Sequence, residues 1–265
     1  MNRYPVVAAL LTAAVISTVA AAGRDGSLVS AVNTGDVNAV RTLLKSGADA
    51  NQRAGDGSTA LLSAVHNSNI EIARALIAAK ATVDTANDFG VTPLLEASRN
   101  GDAAMVDLLL RSGADPKRTH PEGETPLLSA ARAGSVPTVR LLLARGVDVN
   151  AAENVQQTTA LMWAAAEGHT DVVDLLLESG ADPNRQGRVT TLTERHNADH
   201  PTGGFTALMF AARNGDDAMV RRLLARGAVR ARVPGAPGHG PEGSRSAAHA
   251  LLLARIRSPR GRDGR

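Results

Sequence analysis

Residues 159–184 read TALMWAAAEGHTDVVDLLLESGADPN, and the spacing of their apolar side chains decides the fold. Thr159 is an N-cap residue, and Leu161, Met162, Ala164 and Ala165 give the helix after it an apolar face. Gly168 and His169 break that helix, since glycine takes the left-handed backbone a helix end needs. Thr170 opens a second helix, in which Val172, Val173, Leu175, Leu176 and Leu177 form a broad apolar stripe. Gly180 ends it. Two helices this short cannot bury that stripe between themselves, so the stretch requires neighbours of its own kind.

The chain supplies them. The capping threonine recurs as Thr59, Thr92, Thr125, Thr159 and Thr206, at intervals of 33, 33, 34 and 47 residues. The closing glycine slot holds Gly47, Lys80, Gly113, Gly146, Gly180 and Gly227, with Lys80 the one departure. Self-similarity near this period marks a stacked repeat architecture. GVTPLLEASRNGDAAMVDLLLRSGADP (90–116) and GETPLLSAARAGSVPTVRLLLARGVDVN (123–150) resemble the ankyrin repeat. The resemblance covers about 28 to 228. It implies an all-α ankyrin-repeat solenoid of about six helix-turn-helix repeats with hairpin fingers, and a habit of binding other proteins. The histidine of the family's Thr-Pro-Leu-His box is absent throughout, replaced by leucine or methionine. In the family that histidine makes structural hydrogen bonds, so its loss bears on stability.

The 43% hydrophobic fraction suits a folded core, and the 2% aromatic fraction shows that alanine, leucine and valine build it. Residues 1–22 are read separately. Arg3 supplies a positive start, Val6 to Ala20 is apolar and uncharged, and Ala20, Ala21 and Ala22 are small, which is the pattern of a secretory signal peptide cleaved before Gly23. The expectation is therefore an exported bacterial protein, periplasmic or secreted, without stable membrane insertion once the leader is removed. A retained anchor is the alternative. Cysteine is absent, which excludes disulfides, thiolate nucleophiles and cysteine zinc sites.

The net charge of +3 conceals an asymmetry: eight arginines and only two acidic residues lie between 230 and 265, so residues 1–228 carry 21 positive and 24 negative charges. The basic total is thus no argument for nucleic-acid binding by the repeats, and none is expected.

The expected layout is a leader at 1–22, then a repeat domain at 23–228 and a basic Pro/Gly/Arg-rich tail at 229–265 with one short helix at 246–257. The repeats fall at about 26–53, 54–86, 87–119, 120–153, 154–200 and 201–228. The first lacks the threonine box and reads as the N-terminal cap. The second is the weakest interior copy, with Lys80 in the closing slot and Ser68-Asn69 in place of the glycine turn, where Asn69 is expected to be left-handed. Pro137 falls in the first turn of its helix, where proline is tolerated. The fifth carries an insertion at 185–202, in the finger before Thr206. The tail's abrupt change of composition also fits a shifted reading frame.

No hydrolase elbow, zincin helix, phosphate loop or dinucleotide-binding turn is present, so no enzymatic activity and no cofactor is expected. Glu194, His196 and His200 are the best metal candidates, but Pro201 and the lack of helix signals make solvated loop histidines the plainer reading, and no metal site is assigned. The repeat phase picks out a different kind of site. Two positions after the leucine of each box stand Ser63, Glu96, Ser129, Trp163 and Phe210; three further on stand His66, Arg99, Arg132, Ala166 and Arg213. In the ankyrin family such positions face a recognition surface, and Phe89 and Phe205 occupy its fingers. The protein-binding residues expected are therefore Phe89, Glu96, Arg99, Arg132, Trp163, Phe205, Phe210 and Arg213. Aromatic and arginine side chains dominate interface energetics, and a ridge of arginines favours an acidic partner segment. The function expected is a monomeric, non-catalytic scaffold for a protein partner. The alternatives are an accessory or immunity-like protein that inhibits or protects a neighbouring enzyme and, behind it, metal or enzymatic chemistry at 194–200.

Overall fold

The computed structural model describes residues 27–190 and 202–229. The expected leader, the Glu194, His196 and His200 group and the tail helix at 246–257 lie outside them. The chain divides into two compact units, Met1–Asp115 and Pro116–Arg265.

Unit 1 holds three helical pairs: α1 (Ser27–Asn33) with α2 (Val37–Lys45), α3 (Ala60–His66) with α4 (Ile70–Ala78), and α5 (Pro93–Arg99) with α6 (Ala103–Arg111). The first helices stack on one another, α1 on α3 and α3 on α5, and the second helices do the same. Unit 2 repeats the plan with α7 (Pro126–Arg132) and α8 (Val136–Leu143), α9 (Ala160–Glu167) and α10 (Thr170–Glu178), and α11 (Ala207–Asn214) and α12 (Asp217–Ala225). Here α9 sits between α7 and α11. A two-residue antiparallel ladder, β1 (Val189–Thr190) against β2 (Thr202–Gly203), joins the two ends of the fifth repeat's insertion. The expected all-α class stands, with this ladder as its small addition.

The first helices are buried on most sides. In α9, Ala160, Leu161, Met162, Ala164 and Ala165 are all buried, so only a narrow strip remains for other work. Second helices bury one stripe, such as Ile72, Ala73 and Leu76 in α4. Each boxed threonine accepts a hydrogen bond from the amide three residues on, as Thr59 does from Leu62 at 3.2 Å and Thr125 from Leu128 at 3.1 Å. Losing such a cap costs about 0.5–2 kcal/mol.

Lys80 is left-handed (φ 67°) and the amide of Ala81 bonds the Leu76 carbonyl at 3.0 Å, the same closure that Ala114 makes on Leu109 after Gly113. One expectation is corrected. Asn69 is not the left-handed residue of its turn: Ser68 takes that conformation (φ 52°), and Asn69 caps α4 by accepting from the Ile72 amide at 3.1 Å. The asparagine side chain contributes more as an acceptor at the helix start than as a residue tolerant of positive φ.

Polar bridges fix the spacing of successive repeats. Asn51 donates to the Lys80 carbonyl (3.2 Å) and accepts from the Thr82 amide (2.7 Å). Asn150 spans Gly180 and Asp182 in the same way, and Asn184 spans Gly227 and Val229. Each bond nets about 0.5–1.5 kcal/mol, and each bridge crosses a repeat boundary.

Candidate aromatic groove of unit 2

The groove is built on what the core leaves over. With five residues of α9 buried, Trp163, Ala166 and Glu167 share the remaining face at i, i+3 and i+4. On α11 the same offsets are Phe210, Arg213 and Asn214. Between these two faces lies a groove of about 360 Å³. Trp163, Phe205, Phe210, Ala166 and Met162 supply its apolar wall, and Glu167, Arg188 and Arg213 its charge.

The rings and cations are ordered by mutual contact. The Arg132 guanidinium lies 4.5 Å from the centroid of the Trp163 ring. Arg213 sits 5.0 Å from the Phe210 ring and 5.7 Å from that of Phe205. The two phenylalanine rings are 5.3 Å apart and tilted by 33°. A guanidinium over an aromatic face gains about 0.5–1 kcal/mol at an exposed site. Backbone hooks hold the frame: a ring nitrogen of His169 meets the Arg132 carbonyl at 3.0 Å, and the Asn214 amide donates to the Ala166 carbonyl at 2.6 Å. Gly134 is required beside that first hook. It is left-handed (φ 74°), and a Cβ there would stand 2.6 Å from the His169 ring.

The fingers close the rim. Glu153 folds its carboxylate over the turn below and accepts from the amides of Val155 (2.6 Å), Gln156 (2.8 Å) and Thr158 (2.8 Å). Burial works against its charge, but the Thr158, Gln156 and Val155 amides and the Thr158 hydroxyl outweigh it, and the carboxyl sits below its ordinary range. This turn absorbs the additional residue of the fifth repeat, with Gln157 at φ 56°. The amide of Arg188 donates to the Gln156 carbonyl (2.6 Å) and its guanidinium to the Asn154 carbonyl (3.0 Å). Gly187 and Gly204 then tie the two ends of the insertion together through Phe205 and Arg188.

Of the eight expected binding residues, Arg132, Trp163, Phe205, Phe210 and Arg213 belong to unit 2, where the aromatics and Arg213 line one groove. Phe89, Glu96 and Arg99 belong to unit 1. Phe89 is 68% exposed on a finger whose turn Asn87 clamps by accepting from the Phe89 and Val91 amides. Glu96 is engaged by His66 at 2.7 Å and by Arg99 at 3.9 Å, so this arginine is neutralised within its own repeat. The expected ridge of equivalent arginines thus contains two kinds: Arg99 beside a carboxylate, Arg132 and Arg213 over rings. Sequence reading missed Glu153, Arg188 and the asparagine bridges. The recurrence of Asn51, Asn150 and Asn184 four residues after the closing glycine was the available signal for the last.

No group of three or more His, Asp or Glu among the described residues could hold a metal ion. The carboxyls of Asp56 and Glu153 are both held low, in Asp56 by the amide and hydroxyl of Ser58, and both serve turns. No helix among the described residues is long and apolar enough to cross a membrane.

A family model described as ankyrin repeats (3 copies) matches residues 28–120 and 94–187. A second, described as ankyrin repeats (many copies), matches residues 161–225. No curated protein matches the chain. Ankyrin repeats generally mediate protein–protein interaction. Five capping threonines and five closing glycines in one phase, the stacked helical pairs and these matches together place the chain in the ankyrin repeat family.

Proposed function

We propose that this chain is a non-catalytic docking protein, and that the aromatic groove of unit 2 is where a protein partner sits. One observation carries the reading. The 265 residues include only four phenylalanines and tryptophans, and three of them, Trp163, Phe205 and Phe210, line the same groove. Core packing here is done by leucine, valine and alanine, so rings held half-exposed are free to bury area against a partner. Arg132 and Arg213 beside those rings favour an acidic segment in that partner. The acidic balance of residues 1–228 disfavours a nucleic acid.

Trp163→Ala tests this directly. Capture of a partner from a native extract falls at least tenfold while the helical content stays at the wild-type level. Undiminished capture by the folded variant would sink the assignment of the groove.

The chain acts as a monomer in an exported compartment on this reading. Arg3, the uncharged run 6–20 and the alanines 20–22 support export. Mass analysis of the protein from cell fractions tests it, with cleavage before Gly23 expected. A narrower form makes the partner an exported enzyme encoded nearby, which the protein inhibits or protects. Assaying that enzyme with and without this chain decides the point.

A further inference from the structure

Resting on the docking reading above, we infer that the groove recognises an extended acidic segment of defined register: a carboxylate at i, an apolar side chain at i+2 and a carboxylate at i+4.

Several arginines are paired with carboxylates. Arg41 meets Glu71, Arg53 meets Asp88, Arg111 meets Asp107, Arg222 meets Asp174 and Arg226 meets Glu178. Arg132 and Arg213 are exposed and make no ion pair among the described residues, which is also true of Arg74, Arg140 and Arg221, but among the described residues only Arg132 and Arg213 are set against aromatic rings. The Arg132 guanidinium carbon lies 4.5 Å from the Trp163 ring centroid, and that of Arg213 lies 5.0 Å from Phe210 and 5.7 Å from Phe205. A guanidinium held against a ring still has N–H donors to offer a carboxylate, in fork geometry. Arg213 lines the groove and Arg132 lies against the Trp163 ring that walls it, so a cation stands at each of the two aromatic positions.

Spacing sets the register. Trp163 and Phe210 occupy equivalent positions on adjacent helices, which pack about 8–10 Å apart. Each guanidinium stands about one ring contact from its own ring, so the two heads are separated by somewhat more than one helix spacing. An extended chain advances about 3.3 Å per residue, so positions i and i+4 are about 13 Å apart. Positions i, i+2 and i+4 also share one face of an extended chain. The middle side chain then enters the groove between Trp163 and the Phe205–Phe210 pair. Glu167 at the groove disfavours a carboxylate at that middle position, and the Trp163, Phe205 and Phe210 rings favour an apolar side chain there. A polyanion such as single-stranded nucleic acid also stacks on aromatics and arginines, but Glu167 in the groove and the acidic surplus of residues 1–228 argue for discrete carboxylates on a peptide.

Trp163 is the sole tryptophan, so its emission in the full-length chain reports the groove without a label. The probe is a blocked peptide, Ser-Glu-Ser-Leu-Ser-Glu-Ser. The comparison peptides are Ser-Glu-Leu-Ser-Ser-Glu-Ser, which turns leucine to the opposite face, a lysine version of the probe, a leucine-only version with serine at the other positions, and a seven-residue oligothymidylate. The probe should reach half-saturation at a concentration at least tenfold below each of them. Arg132→Gln and Arg213→Gln should each raise that concentration at least threefold, while Arg140→Gln on α8 leaves it unchanged. Equal binding of the shifted peptide, indifference to both arginine variants, or tighter binding of the lysine peptide or the oligothymidylate would overturn the inference. If leucine alone moves the emission and the glutamates add nothing, the register fails and the docking reading survives. If no peptide moves it, both fail.

Discussion

The two units share one plan and differ in what they leave on the same exposed strip. In unit 1 the strip of α3 and α5 carries Ser63, His66, Glu96 and Arg99, and its groove of about 370 Å³ holds no aromatic ring of Phe or Trp, with Asp56, His66 and Glu96 set among Val29, Leu62 and Val91. There the charges satisfy one another, Glu96 serving both His66 and Arg99. In unit 2 the same offsets carry Trp163, Phe210 and Arg213, and the cations lie on rings. A strip whose charges are already paired gains little from a partner, because a new contact must break an old one. Where rings stand half-exposed and guanidinium edges lack a carboxylate, a partner can be bound without such a loss. The repeat fixes where a side chain points. Its identity at that one offset separates a solvated wall from a docking surface.

The comparison can be broken most severely at Gly134. Gly134→Val places a branched side chain against the His169 ring in a left-handed backbone, and stability falls by roughly 3 kcal/mol. Urea unfolding reads the midpoint, and hydrogen exchange should show the loss of protection in α7 and α9. A smaller shift than that of an exposed alanine substitution would mean the frame of the groove is pliable.

Trp163→Ala should next remove about 2 kcal/mol of partner binding with little change in unfolding, while Ser63→Ala at the matching offset of unit 1 leaves binding intact. Equal effects of the two on a binding isotherm would erase the distinction between the strips. Lys80→Gly sharpens it from the other side. Lys80 is a non-glycine residue held left-handed (φ 67°) in unit 1, and glycine there raises stability by about 1 kcal/mol. The thermal midpoint measures this.

The smallest effect belongs to Glu153. Its carboxyl is held below the ordinary range when folded, so the unfolded chain takes up a proton first as pH falls. The resulting stability is complete above the usual carboxylate range near pH 4.5 and is lost as pH drops through the folded value. Glu153→Gln should flatten that acid limb of the stability curve. An identical limb in wild type and variant would show that the clamp does not titrate as described.

Much of this was legible in the residues. Capping threonines and closing glycines act within one or two turns of chain, so their spacing exposed the repeats and the departure at Lys80. The phase of Trp163 and Phe210 followed from the same local rule. What escaped depends on neighbours some 30 residues away. Arg99 and Arg132 occupy one offset, yet one meets Glu96 and the other the Trp163 ring; a long flexible side chain selects whichever partner the stack brings near. The Glu153 clamp was hidden because a carboxylate folded over its own turn has no periodic signature. Asn69 was misread because asparagine suits both positive φ and capping, and only the fold shows that Ser68 had taken the first role.

The bridge made by Asn184 has a consequence for engineering. It grips Gly227 and Val229 directly, and so ties the end of the final helical pair to the close of the repeat before it. The asparagine reads main-chain atoms only, the Gly227 carbonyl and the Val229 amide. The last pair is thus exchangeable as a cassette, provided the incoming pair ends on a backbone that presents the same carbonyl and amide.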